Sequence, residues 1–312
     1  MKRDFLSLAD VTPAEIERLL VLANEFKQRH KSGAAPPYLA EKSLVLIFHK
    51  PSLRTRTSFE VGMYQLGGFT TTLQDQDIGI GVREPAKDLG RVLSRYYDGI
   101  VVRTFAHDLV VELAQVASIP VINGLTDLLH PCQILSALQA LREHFGRLAG
   151  LHIAYVGDGN NMANSWLLGA AQMGLTLTLA CPLAYRPDPA IVAQAYGIAE
   201  TSGAVIEIVD DPKQAVKGVD VVYTDAWTSM GQEDEAEVRR EVFQSYQINA
   251  ALLAETPSHA VVMHCLPAHR GEEITEDVFE GSRSLVFEEA ENRLHAQKAL
   301  LVLLLNPEER LP

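Results

Sequence analysis

The chain has 312 residues, 47% of them hydrophobic, with 40 acidic against 27 basic side chains and a formal charge of −13. That length and apolar content suit α/β domains with real cores, and the acidic balance argues against a nucleic-acid or anionic-membrane surface. No apolar run approaches the roughly 20 residues of a membrane-spanning helix. Residues 1–5 lead into an amphipathic helix without a signal-like core, and Cys132, Cys181 and Cys265 are an odd, widely spaced set. Both features predict a reducing, cytoplasmic location.

Thr12-Pro13-Ala14-Glu15 reads as a capping box with proline at the first helical position, followed by an apolar face of Ile16, Leu19, Leu20, Ala23 and Phe26. Residues 44–48 form an apolar run that reads as a buried strand, closed by Pro51. Ser52 is the expected cap of the next helix, which Phe59, Met63 and Leu66 continue. Then come a strand at 70–73, an irregular Gly- and Asp-rich loop at 74–85, and a helix at 86–97. A strand at 99–103, a helix near 109–117, a short strand at 120–122 and a helix at 131–145 follow. Beyond a boundary near 147–150, strands are expected at 151–156, 175–180, 205–208, 219–223 and 260–263, and a last helix at 291–305. Repeated strand–helix alternation with apolar strands predicts an α/β chain of two doubly wound parallel-sheet domains. The expected limits are 1–148 and 149–290, with a terminal segment 291–312 packing back on the first domain.

Ligands of open parallel sheets sit at the carboxyl ends of strands, so polar residues there are the functional candidates. Ser52-Leu53-Arg54-Thr55-Arg56 combines a helix start, two hydroxyls and two guanidiniums, which suits an anion such as phosphate. Arg103 ends a strand, as a functional candidate or as a surface arginine closing it. His130-Pro131-Cys132-Gln133 opens a helix, where His130 and Gln133 can bond a carbonyl or serve packing. Gly157-Asp158-Gly159-Asn160-Asn161-Met162 lacks the third glycine of a dinucleotide fingerprint, and its amides suit a zwitterion better than a pyrophosphate. Asp225, in Thr224-Asp225-Ala226-Trp227-Thr228-Ser229-Met230-Gly231, can pair with an ammonium or form an ordinary turn. In His264-Cys265-Leu266-Pro267, Cys265 is either an activated thiol or a small packing residue. Adjacent His264 and Cys265 without a CxxC or HxxxH partner make a poor metal site, so no metal is expected.

Taken together, these motifs resemble the aspartate/ornithine carbamoyltransferase family nearly end to end, in order and spacing. Ser229-Met230-Gly231 and Ala268-His269-Arg270-Gly271 resemble the ornithine branch. The resemblance implies transfer from carbamoyl phosphate to L-ornithine, giving L-citrulline and phosphate, or to a related amine or amino acid as the alternative. It also implies two domains around a central cleft, the first binding carbamoyl phosphate and the second ornithine, in a homotrimer or multiple of trimers, with no cofactor. By this likeness Ser52, Leu53, Arg54 and Thr55 hold the phosphate with Arg103, while His130 and Gln133 orient the carbamoyl group. Asn161, Asp225, Ser229 and Met230 hold the amino-acid head, Cys265 and Leu266 lie near the attacking amine, and Arg293 joins the carbamoyl phosphate site. Arg54, Arg103, His130 and Cys265 are the expected catalytic groups.

Two positions depart from the family pattern. Leu53 stands where threonine is usual, and Gly79 where a glutamine usually reaches carbamoyl phosphate, often across a subunit boundary. Arg83, four residues on, is the candidate substitute.

Overall fold

The computed structural model describes residues 2–32, 36–74, 78–80, 83–229 and 231–306. By packing, the chain divides into one unit of Met1–Gln139 with Glu291–Pro312 and a second of Ala140–Ala290. Each is built on a wholly parallel sheet.

The longer elements of the first unit are α1 (Pro13–Ser32), β1 (Ser43–Phe48), α2 (Arg54–Gln65), β2 (Phe69–Gln74), α3 (Ala86–Leu93), β3 (Gly99–Arg103), α4 (His107–Val116), β4 (Val121–Leu125) and α5 (Pro131–Phe145). The capping box before α1 is formed: Thr12 N–H donates to Glu15 Oε2 at 2.9 Å and Glu15 N–H to Thr12 Oγ1 at 3.3 Å. The sheet order is β2-β1-β3-β4. Val45, Ile47, Ile100 and Val102 pack with Leu89 and Leu93 of α3 and Val110 and Leu113 of α4. The alternate residues Leu44, Leu46 and Val101 are also completely buried, so both sheet faces are covered.

In the first unit, three boundaries depart most from the expectations. Leu53, not Ser52, takes the cap position of α2, because Leu53 is already helical and its carbonyl accepts the Thr57 N–H at 2.9 Å. The helix expected over 86–97 stops at Leu93. There Ser94 Oγ donates back to the Gly90 carbonyl at 2.7 Å, and the Arg95 and Tyr96 N–H groups reach only three residues back. Strand β4 continues to Leu125 through Asn123 and Gly124, held partly by the Asn123 N–H donating to the Phe5 carbonyl at 2.8 Å.

The second unit contains β5 (His152–Val156), α6 (Asn161–Met173), β6 (Thr176–Ala180), α7 (Pro189–Ser202), β7 (Val205–Val209), β8 (Val221–Thr224), α8 (Ala236–Phe243) and β9 (Val261–His264), in sheet order β7-β6-β5-β8-β9. Ala154, Val156, Val222 and Val262 pack with Trp227, Phe243 and Tyr246. On alternate positions Tyr155 and Tyr223 stack at 6.1 Å, and Trp166 of α6 meets Tyr223 edge-on at 5.2 Å. The last helix, α9 (Val286–Leu305), starts ahead of the expected residue 291; Glu288 and Glu289 in its first turn suit the positive end of its dipole. From Glu291 onward it belongs to the first unit.

Strand order reverses once in each sheet. The chain leaves β1 for β2 on one side and returns to β3 on the other; it leaves β5 for β6 and β7 and returns to β8. Loops diverge at such switch points and leave room for a ligand. The loops and adjoining element ends there carry Ser52–Thr55 and Arg103 in the first unit, and Asn160, Asn161 and Asp225 in the second.

Candidate active site

Phe48 pairs with Arg103 across β1 and β3, which sets the carboxyl ends of the two strands side by side. The loop between β1 and α2 is anchored by Lys50, a buried cation that donates to Asp127 and lies 4.0 Å from the Phe105 ring centre. Ser52 lines a cavity of about 450 Å³ with His49, Lys50, Arg56 and Gln74. No side chain caps α2 at Leu53, so its first N–H groups keep the anion-binding character of a helix start.

Thr55 is the centre of a buried polar group. Its Oγ1 accepts from Arg293 Nη2 at 3.1 Å and from Arg103 Nη1 at 3.4 Å. Arg293 also donates through Nη1 to Gln133 Oε1 and through Nε to Gln297 Oε1 at 3.0 Å. Thr55, Arg103, Gln133 and Arg293 are all buried, as is His130. Burial, then the guanidiniums of Arg293, Arg103 and Arg54, hold His130 well below the usual histidine range. His130 is therefore a neutral imidazole near neutral pH, able to donate one N–H without adding charge. Cys132 next to it is a packing residue: burial pushes its thiol up to about 12, and Sγ donates to the Asn123 carbonyl at 3.4 Å.

The second unit assembles a different group. Asn160 caps α6: its Oδ1 accepts from the N–H groups of Met162 (2.9 Å) and Ala163 (3.3 Å) and from Tyr155 Oη at 3.1 Å. Burial, then the nearby Asp225, push the Tyr155 phenol well above its usual range, so it stays a donor. Asn160 Nδ2 donates to Asp225 Oδ2 at 2.8 Å, while Asp225 Oδ1 accepts from Cys265 Sγ and its neighbour's Ala226 N–H, both at 2.8 Å. Asp225 is thus a fixed carboxylate, suited to an ammonium. The turn before Asn160 needs Gly159, because a Cβ there would lie 2.4 Å from the backbone of Tyr185, Arg186 and Pro187.

The loop after Asp225 is tied down by buried Arg239 of α8, which donates to the Trp227 carbonyl and to Asp158 Oδ2, both at 2.9 Å. Burial raises the Asp158 carboxyl to about 6 even against the opposing pull of Arg239. His264 Nδ1 accepts the Leu266 N–H at 2.9 Å, which puts the ring proton on Nε2, 3.2 Å from Glu273 Oε1. That pair supports a turn in which Leu266 takes a φ of 61°. Asp225, His264 and Cys265 each present a ligand-type atom within 4.8 Å of the others, but both His264 nitrogens are already engaged.

Among the predicted residues, Thr55, Arg103, Gln133 and Arg293 share one hydrogen-bonded group with His130 embedded in its charge, and Asp225 and Cys265 share another. Arg54, half-buried, adds its charge to the first. The other predicted residues have different surroundings. Leu53 is 73% exposed; the Ser229 N–H donates locally to Gln232 Oε1 at 3.2 Å; Asn161 opens α6, and its carbonyl accepts from Ser165 Oγ at 2.7 Å. Met230 lies outside the described residues. Sequence reasoning missed Asn160 as the residue that holds Asp225, although its place as a cap after an apolar strand was a usable signal. It also missed Asp158 with Arg239, and Ser58 with Gln297, for which no local signal exists.

Residues 3–143 match the family model described as aspartate/ornithine carbamoyltransferase, carbamoyl-P binding domain, and residues 149–304 match its Asp/Orn binding domain. The chain belongs to the aspartate/ornithine carbamoyltransferase family. A protein named ornithine carbamoyltransferase from Anoxybacillus flavithermus is 53% identical over 97% of this chain and 96% of its own length. One of the same name from Pelobacter propionicus is 51% identical over 99% and 100%. The solved ornithine carbamoyltransferase of Pyrococcus furiosus superposes with a TM-score of 0.95 at 46% identity, covering 97% of each chain. By sequence Arg293 falls in the family's Asp/Orn region, yet it packs with Thr55 and Gln133 of the carbamoyl-P region.

The departure at Gly79 has a local explanation. Gly79 has a φ of 63°, and a Cβ there would stand 3.0 Å from Arg83 Cβ. A glutamine would strain this turn, in which the Arg83 N–H donates to the Gly79 carbonyl at 2.7 Å.

Proposed function

We propose that this chain is an ornithine carbamoyltransferase that converts carbamoyl phosphate and L-ornithine to L-citrulline and phosphate, as a step of arginine metabolism. The observation that carries the reading is the buried group around Thr55: two guanidiniums, an amide and a neutral imidazole at the switch point of a carbamoyl-P-type domain.

In this scheme Ser52, Leu53, Arg54 and Thr55 hold the phosphate, with Arg103 as a second guanidinium. Gln133 and Arg293 orient the carbamoyl group. The ornithine side-chain amine attacks the carbamoyl carbon after losing a proton, since its free pKa is near that of lysine, about 10.4. As the new C–N bond forms, negative charge grows on the carbonyl oxygen, where His130, Arg103 and Thr55 donate. The bond to the bridging oxygen then breaks, the phosphate leaves with the electron pair, and one N–H proton of the attacking nitrogen passes to the departing phosphate. Fixed cations and helix N–H groups favour this charged transition state over the bound reactants. Neutral His130 donates without competing with the guanidiniums for the anion. Asp225 pairs with the amino-acid ammonium, Asn161, Ser229 and Met230 complete the head-group contacts, and Cys265 and Leu266 lie near the attacking amine. No metal or organic cofactor enters the scheme.

A homotrimer, or a multiple of it, is part of this reading. Tyr64, Phe69 and Tyr96 of the first unit are 81%, 65% and 73% exposed, apolar surface that neighbouring subunits would cover. Arg83, exposed, is the group assigned to the contact that Gly79 cannot make across a subunit boundary. No helix of the described residues is long and apolar enough to cross a membrane, which agrees with the proposed cytoplasmic location.

The test is turnover of carbamoyl phosphate with ornithine, aspartate, putrescine and N-acetylornithine side by side. Ornithine should be preferred by kcat/KM; preference for another amine would move the chain to a different branch of the family.

A further inference from the structure

We infer that Gln297 is a positioning residue for the carbamoyl phosphate site, acting through Arg293. The inference rests on the carbamoyl phosphate reading and adds a residue that the motifs do not contain.

Arg293 and Gln297 stand four positions apart on α9, hence on one face of the helix. Gln297 is completely buried. Its Oε1 accepts from Arg293 Nε at 3.0 Å and faces Ser58 Oγ at 2.9 Å. The orientation of this amide is not arbitrary: Arg Nε can only donate, so the oxygen must face it. Ser58 belongs to α2, one turn after Thr55, and its hydroxyl also lies within reach of the Arg54 carbonyl at 2.5 Å and the Thr55 carbonyl at 3.2 Å. Gln297 therefore joins the helix that bears Arg293 to the helix that bears Arg54 and Thr55.

A guanidinium is a rigid plane whose Nε–H points away from its two Nη groups. Holding Nε from behind fixes the plane and turns Nη1 and Nη2 toward Gln133 and Thr55, the groups assigned to the carbamoyl end of the substrate. Without the Gln297 acceptor, the Nε–H faces a dry interior, and the guanidinium gains by rotating to recover a partner. Such a rotation moves both Nη groups off their present targets, and misplacement of a positioned group by even 1 Å is costly to rate. The simpler role for Gln297 is satisfaction of a buried arginine for stability alone, and the two roles differ in what they do to the kinetics.

Gln297→Leu keeps most of the volume and removes the acceptor; Gln297→Glu restores an acceptor oxygen at the same reach. The expected result is a fall of about tenfold in kcat/KM for carbamoyl phosphate in Gln297→Leu, with the ornithine KM within roughly twofold of wild type. Gln297→Glu should recover most of that loss. Wild-type kinetics in a folded Gln297→Leu, equal weakening of both substrates, or no rescue by Gln297→Glu would each overturn the inference. Should Gln297→Leu fail to fold, Ser58→Ala removes a hydroxyl that abuts the Gln297 amide, and should shift carbamoyl phosphate kinetics in the same direction with a smaller size; no shift overturns the inference. Arg293→Met separates the two readings. Normal use of carbamoyl phosphate by that variant removes Arg293 itself from the site, whereas a defect there with none in Gln297→Leu removes only the link.

Discussion

Thr55→Val probes the centre of the first group with almost no change of volume. Thr55 Oγ1 is the shared acceptor for two buried guanidiniums, at 3.1 Å from Arg293 Nη2 and 3.4 Å from Arg103 Nη1. The shorter bond is charge-assisted and contributes about 1.5–3 kcal/mol; the longer one, near the limit of a hydrogen bond, adds about 0.5 kcal/mol. Valine matches threonine closely enough that no cavity term follows, so the expected loss of stability is about 2–3.5 kcal/mol. Activity should fall further, because the hydroxyl is also a donor to the substrate in the proposed scheme and two guanidiniums lose a common anchor. A drop of about a hundredfold in kcat, equivalent to about 2.7 kcal/mol, is expected. Urea unfolding gives the first quantity and citrulline formation the second. Stability within roughly 0.5 kcal/mol of wild type and turnover within roughly threefold would refute the reasoning.

Arg54→Lys keeps the charge but loses the planar fork; turnover should fall at least about a hundredfold, and near-normal turnover would remove Arg54 from the mechanism. Asp225→Asn should raise the ornithine KM or lower kcat while leaving carbamoyl phosphate affinity close to normal; equal weakening of both substrates would mark Asp225 as structural. His130 has a folded pKa below its unfolded value of about 6.5, so the unfolded chain binds the extra proton first as pH falls. Its contribution to stability is therefore constant above about pH 6.5 and is lost toward lower pH, by at most about 1.4 kcal/mol per unit. Urea unfolding of wild type and His130→Gln across that range should show a shallower acid slope in the variant, and identical slopes would contradict the burial argument.

How much of this was legible in the sequence depends on whether a residue acts through its neighbours or through distant partners. Residues 44–48 and 99–103 announce themselves as strands because a parallel sheet buried on both faces needs an unbroken apolar run. Polar residues that break such runs, Arg103 and Asp225 among them, stand at strand ends and so fall at the switch points. Boundaries were less legible where a side chain turned back on the backbone, as Ser94 does, or where strand pairing extended through Asn123 and Gly124. Within the site, motif residues that face a ligand could be named in advance. The residues that hold them from behind could not: Ser58 and Gln297 lie 239 positions apart, and Asp158 and Arg239 lie 81 apart. Asn160 shows the same limit at short range. Either of two adjacent amides could hold the amino acid, and only the fold shows that Asn160 is committed to Asp225 and the start of α6.

The central claim is transfer of an intact carbamoyl group from carbamoyl phosphate to the side-chain nitrogen of ornithine. The direct measurement uses carbamoyl phosphate labelled at its carbonyl carbon and ornithine labelled at its side-chain nitrogen, with heteronuclear NMR of the product and a phosphate assay on the same samples. The account predicts a labelled carbon bonded to the labelled nitrogen in citrulline, one phosphate released for each citrulline formed, and loss of both signals together in Arg54→Lys. Phosphate release without citrulline, or a carbamoyl group on the α-nitrogen, would contradict it.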